Sequence, residues 1–144
     1  MTDAVVTLKK GEGRYLQKGG PWIYDNEIAD ISPGAEDGGL VRVCGENGWP
    51  LGQGFLNRRS KLTVRMLTRD PDAEINEDFF LMRLKNAWEY RKKVVDTSSC
   101  RLVFGEADFL PGLVVDKFSD VLVVESLAPV SYTHLRAHET ELHL

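Results

Sequence analysis

Between Ala4 and Thr68 no helix-length stretch survives without interruption, and this limits what the chain can fold into more than any other feature. The runs AVVTLK, PWIYDNEI, LVRVCG, LGQGFLN and KLTVRMLT are divided by GEGR, SPGAEDGG, ENGWP and NRRS. Gly, Pro, Asn and Ser in such clusters favour turns, while the Val, Ile, Leu, Thr, Tyr and Trp between them suit a pleated surface. Asn47-Gly48 predicts a tight hairpin, because both residues tolerate positive φ. Several short strands with no helix between the later ones predict a small β-barrel.

The period changes after Pro71. Phe80, Leu84, Ala87, Trp88, Arg91 and Val95 recur at intervals of three and four residues, the spacing of one helix face. Asn76 precedes Glu77 and Asp78, which suit the positive end of a helix, and Lys92 and Lys93 suit the other end. A helix over 77–95 follows, with Phe80 and Trp88 in the core. Beyond it, RLVFGEADFLPGLVVDKFSDVLVVESLA reads as three strands of a β-meander. The expected class is α+β: a small barrel over 1–70, a second α+β unit of one long helix and a meander over 71–130, and a tail over 131–144.

Composition adds limits rather than a function. Of 144 residues, 42% are hydrophobic, enough for a core, and the formal net charge is -4. Residues 1–70 hold ten Lys and Arg against nine Asp and Glu, whereas 71–130 hold seven against eleven. Cys44 and Cys100 lack metal-knuckle spacing and suit a reducing cytoplasm. MTDAVVTLKK lacks a signal-peptide apolar core, and no run approaches the ~20 apolar residues of a membrane span. A soluble cytoplasmic protein is expected, with neither membrane nor DNA as partner.

Four groups of residues invite chemical readings. His134 and His138 lie four apart with Glu139 and Glu141 nearby, a spacing that on a helix can hold zinc and support a small hydrolase. No apolar periodicity accompanies them, and a solvated tail without metal is expected. Glu106, Asp108, Asp116 and Asp120 could form paired carboxylates for acid and base work. Turn positions and interrupted apolar runs favour structural hydrogen bonding instead. The glycines of GEGR, GGP and GQGF lack the spacing of a phosphate cradle, and no nucleophile is paired with a base, so no catalytic residue is assigned. Basic residues beside aromatic ones remain: Lys9, Lys10, Arg14 and Lys18 flank Tyr15 and Trp22, and Arg58, Arg59 and Lys61 share one turn. Such side chains neutralise phosphates and stack on splayed bases, as in RNA recognition.

LKKGEGRYLQKGGPWIYDNEI, GQGFLNRRSKLTVRMLT and RLVFGEADFLPGLVVDKFSDVLVVE together resemble the N-terminal part of class I SAM-dependent methyltransferases that modify a cytosine of 23S rRNA at C5. The resemblance spans about Val5 to Ala128. It implies a PUA-type RNA-binding barrel, a middle α+β domain, and a C-terminal Rossmann-like domain that binds SAM and carries catalytic cysteines. It makes Glu106, Asp108, Pro111, Gly112 and Asp116 part of a middle-domain motif bordering an active-site channel, without making them catalytic. Lys9, Lys10, Arg14, Lys18, Trp22, Arg58, Arg59 and Lys61 become candidate contacts to 23S rRNA.

The SAM domain is absent from this sequence, so the expectation is an RNA-binding portion inactive by itself, with no cofactor of its own and SAM needed by a full-length enzyme. A stand-alone RNA-binding adaptor is the alternative. PVSYTHLRAHET departs from the resemblance and looks like the translation of a sequencing-library adapter, which would leave His134, His138 and His143 without a role.

Overall fold

The computed structural model describes residues 4–126. His134, His138, His143, Glu139 and Glu141 lie outside the described residues. The chain divides into two compact units, the first ending at Ala73 and the second beginning at Glu74.

In the first unit, strands β1 (Val5–Leu8), β2 (Trp22–Tyr24), β3 (Ile28–Ile31), β4 (Leu40–Cys44), β5 (Pro50–Leu56) and β6 (Leu62–Thr68) form one sheet. Its order is β2-β6-β5-β4-β1-β3. Only β1 and β4 run parallel. The two edge strands, β2 and β3, are consecutive in the chain, joined by a single 3-10 turn, Asp25–Glu27. Asp25 N–H donates to the Lys61 carbonyl and Glu27 C=O accepts from Lys9 N–H, each at 2.8 Å. A connection this short forces the sheet to curl until its edges meet.

The inside of the curl holds Val6, Leu8, Leu16, Ile23, Val41, Val43, Leu56 and Val64, all nearly or wholly buried. Each side chain of this size contributes about 1.5–3 kcal/mol when withdrawn from water. Strand β1 shows the period of two that builds such a core: Val6 and Leu8 are buried while Val5 and Thr7 are half-buried. A short helix, α1 (Arg14–Gln17), inserts Leu16 into the same core.

The glycines of GQGF serve close strand packing. A Cβ on Gly54 would stand 2.5 Å from the Arg65 carbonyl oxygen, and one on Gly52 would strike the Thr68 carbonyl. Both flank the bulge at Gln53/Gly54, where β5 presses on β6. Buried Gln53 donates through Nε2 to the carbonyls of Asp70 and Ala73 at 3.2 and 2.9 Å. Arg42 donates to the Pro71 carbonyl at 3.1 Å. These bonds fasten residues 70–73 along β4 and β5.

The predicted hairpin forms between β4 and β5, but by a different turn. Gly48 N–H donates to Gly45 C=O, Gly45 N–H donates to Trp49 C=O, and only Gly48 of the pair has positive φ. That is a three-residue loop closing with a left-handed glycine, in which Asn47 instead accepts from Trp49 N–H through Oδ1.

In the second unit, helix α2 (Glu77–Val94) starts where Asn76 Oδ1 accepts from Phe79 N–H at 3.0 Å. Phe80, Leu84 and Ala87 are buried, and Trp88 is half-buried. Val95, expected on the helix face, has left the helix with extended backbone and is exposed. Strands β7 (Ser99–Phe104), β8 (Leu113–Phe118) and β9 (Val121–Ser126) form the predicted antiparallel meander. Leu102, Val103, Leu113 and Val115 supply its buried face. The α+β architecture expected from the sequence is therefore the one that forms.

Candidate nucleic-acid interface

The curl that closes the first unit also brings two of its cation clusters together. Lys9 and Lys10 follow β1, and a turn in which Glu12 N–H donates to Lys9 C=O leads into α1. Arg14 begins that helix and Lys18 caps its end. Arg58, Arg59 and Lys61 occupy the β5–β6 turn. These clusters are far apart in sequence, yet the backbones of Lys9 and Lys61 bond residues two apart in one 3-10 turn. The Lys9–Lys10 and Arg58–Lys61 segments therefore share one rim of the barrel, where Lys9, Lys10, Arg59 and Lys61 are exposed, whereas the Leu16 carbonyl of α1 accepts from Arg69, beyond the other end of β6.

Two predicted contacts are placed differently from the rest. Arg58 donates through Nη2 to the Ala35 carbonyl at 2.7 Å and lies 3.8 Å from Asp37, whose carboxylate also accepts from Arg58 N–H. Its charge is thus partly matched within the fold. Trp22 is half-buried and its indole N–H is fully buried without a partner, so the edge of the ring is not presented.

The exposed aromatics of the first unit are Tyr15, packed beside Gly20, and Tyr24, at 47% and 40% exposure, with Trp49 on the β4–β5 hairpin at 69%. Tyr24 and Trp49 were not among the expected contacts. The alternation in Trp22-Ile23-Tyr24, with Ile23 wholly buried, is the signal that turns Tyr24 outward. Trp49 follows a glycine turn, a position that leaves it mostly exposed.

In the second unit the carboxylates hold the fold. Asp108 accepts both Nη atoms of Arg91 at 2.9 and 2.7 Å, and accepts Phe104 N–H at 2.7 Å. Arg91 also donates from Nε to the Arg101 carbonyl. This joins α2 to β7 and to the 3-10 turn Gly105–Asp108. Asp116 takes a two-point bond from Arg101, its cross-strand neighbour, at 2.8 and 3.2 Å. The Arg101 guanidinium holds the Asp116 carboxyl below its ordinary range, and the same bond raises Arg101. Pro111 and Gly112 are buried, with Gly112 at φ 73 and exposed Phe109 at φ 60, as the GEADFLPG segment folds tightly on itself. Glu106 is half-buried in that turn, and its carbonyl accepts from Phe109 N–H.

Among the described residues, no group of His, Cys, Asp and Glu is placed to hold a metal ion. Burial raises the Cys44 thiol above its ordinary value despite nearby Arg42, the opposite of what activates a cysteine nucleophile. No helix among the described residues is long and apolar enough to cross a membrane.

Comparison with known proteins bears on the fold and its relatives. Residues 6–69 match the PUA-like domain family. The chain is 34% identical over 134 residues to the ribosomal RNA large subunit methyltransferase I of Alteromonas mediterranea, covering 91% of this chain and 34% of that protein. The protein of the same name from Shewanella frigidimarina is 34% identical over 127 residues, covering 85% and 32%. A Streptococcus mutans structure assigned as a SAM-dependent methyltransferase shares the fold with a TM-score of 0.76 at 15% identity, over 95% of this chain and 36% of that one. A structure assigned as a methyltransferase and solved with SAH aligns with a TM-score of 0.74 at 16% identity, over 95% and 35%. The chain thus spans about a third of the length of the proteins it matches. It carries a PUA-like domain over residues 6–69 and, across most of its length, is homologous to part of the ribosomal RNA large subunit methyltransferase I proteins.

Proposed function

We propose that the barrel unit binds structured RNA of the large ribosomal subunit and that the chain is the recognition portion of a SAM-dependent methyltransferase acting on cytosine C5 of 23S rRNA. The observation that carries this is the rim on which Lys9 and Lys61 converge, with Lys10 and Arg59 exposed beside them and Arg14, Lys18, Tyr15 and Tyr24 in the adjoining segments. Cations there displace counterions from phosphates, and exposed tyrosines stack on unpaired bases. Trp22 supports the platform from its half-buried place in β2. Arg58, fixed by Ala35 and Asp37, shapes the turn that presents Arg59 and Lys61. The role belongs to the cytoplasm, where the ribosome is.

SAM chemistry is not assigned to the described residues. The Gly-x-Gly of β5 is committed to the contact with β6, leaving no room to cradle a cofactor, and Asp108 and Asp116 are each bonded to arginine. The middle unit, including Glu106, Pro111 and Gly112, would serve as the frame beside the channel.

Fluorescence anisotropy with a folded fragment of large-subunit rRNA across a KCl titration tests this. Affinity should fall linearly on a log–log plot, and Lys9→Ala and Lys61→Ala should each reduce the slope by roughly 0.7–0.9. Lys85→Ala, on the second unit, should leave the slope unchanged. Absent or salt-independent binding would end the proposal.

A further inference from the structure

Next to the cationic rim lies a cavity of about 420 Å3, a shallow depression open to solvent, whose chemistry differs from that of the rim. Its walls are Ile28, Ala29 and Ile31 from β3, Thr63 from β6, the carboxylates Asp25 and Asp30, and Arg58. We propose that this cavity receives one unstacked nucleobase bearing an exocyclic amino group, while the phosphates on either side of it lie on the rim. The inference deepens the RNA-binding proposal above and rests on it.

Position gives the first argument. Asp25 belongs to the 3-10 turn that bonds Lys9 and Lys61 on its two sides, so one lining residue of the cavity and the backbones of both lysines meet at one turn. Strand β3 pairs only with β1 among the described residues, and its other edge borders the seam of the curled sheet. A strand of RNA crossing Lys9 and Lys61 passes this seam.

Composition gives the second argument. The volume falls within the roughly 300–1,000 Å3 of small-ligand pockets, and the lining joins three apolar residues to four polar or charged ones. Ile28 and Ile31 offer surface to the faces of a base. Arg58 is held in place by the Ala35 carbonyl and Asp37, so no ordering of that side chain is needed when a base arrives. The side-chain carboxylates of Asp25 and Asp30 accept no hydrogen bond and make no ion pair among the described residues.

Charge gives the third. Ionised carboxylates only accept hydrogen bonds, so they reject phosphate and attract N–H donors. Cytosine, adenine and guanine each present an amino group, whereas uracil presents carbonyl oxygens in the equivalent places. The cavity and the rim therefore sort a nucleotide into two parts, base inward and phosphate outward.

The test uses the full chain and labelled nine-residue oligouridines carrying one central cytidine, adenosine or uridine. Wild-type protein should bind the cytidine and adenosine probes at least about fivefold more tightly than all-uridine. Asp30→Asn should bring that ratio close to one. Ala29→Phe fills the cavity without changing charge, and should abolish the preference while leaving the salt slope intact. If the carboxylates merely repel RNA, Asp30→Asn will tighten all three probes equally, and the base pocket is overturned. Salt-dependent binding without base preference in wild type also overturns it while sparing the RNA-binding proposal, and loss of binding to every probe removes both.

Discussion

Removing the Asp108 carboxylate is expected to unfold most of what holds the second unit together. Asp108 and Arg91 side chains are 8% and 13% exposed, and their bond is two-pronged, at 2.9 and 2.7 Å. The same carboxylate is the acceptor for Phe104 N–H. Breaking a buried pair from one side costs about 3–5 kcal/mol, because the surviving charge is left without its partner. Arg91 keeps the Arg101 carbonyl at 2.8 Å, which places Asp108→Ala near the lower end, at about 3 kcal/mol. The assay is urea unfolding followed by Trp88 fluorescence in a Trp22→Phe, Trp49→Phe background, so that the signal reports the second unit alone. With a slope of about 1 kcal/mol/M for so small a unit, the midpoint should fall by about 3 M, or the unit should be unfolded in buffer. Replacing both partners, Arg91→Met with Asp108→Leu, should recover at least about 1 kcal/mol relative to the sum of the two single losses. Additive losses, or a cost for Asp108→Ala below about 1 kcal/mol, would refute the role given to this pair.

Two further predictions concern the strands. Gly54→Ala should destabilise the first unit by about 2 kcal/mol or more, since its Cβ would stand 2.5 Å from a backbone oxygen that cannot rotate away; a neutral change in thermal unfolding would contradict the packing described for β5 and β6. Asp116 has a folded pKa lowered by Arg101, so its contribution is present above the ordinary value of 3.8 and disappears as pH falls below it toward the folded value. Asp116→Asn should therefore flatten the acid limb of stability against pH in that window, and an unchanged limb would rule the contribution out.

The strand and helix order was legible because it depends on local chemistry. Turn clusters end the barrel strands, and Asn76 followed by two acids starts the helix where its Oδ1 caps Phe79. Val95 was misplaced because the apolar spacing continued one residue past the last turn that the chain could close. The Asn47-Gly48 hairpin was legible as a turn but not as a type, since loop length depends on which flanking residues pair. The rim could not be seen in sequence. Lys9 and Lys61 are more than fifty positions apart, and only the closure of the sheet through Asp25–Glu27 joins them. Nor could sequence show that Arg58 is held by a loop more than twenty residues earlier, or that Asp108 spans 17 positions to reach Arg91.

These placements divide work between the two units. In the second, one carboxylate of the GEADFLPG motif and one of the neighbouring strand are matched by arginine: Asp108 by Arg91 and Asp116 by Arg101. A carboxylate held in a two-point arginine bond is a poor general base, because taking up a proton would break that bond. In the first unit the balance is reversed, since Lys9, Lys10, Arg59 and Lys61 stand exposed on the rim, and Asp25 and Asp30 line the cavity beside it with carboxylates that have no partner among the described residues. Groups whose charge is not used by the fold remain available to a ligand. Recognition is accordingly expected of the barrel, and rigidity of the unit that follows it.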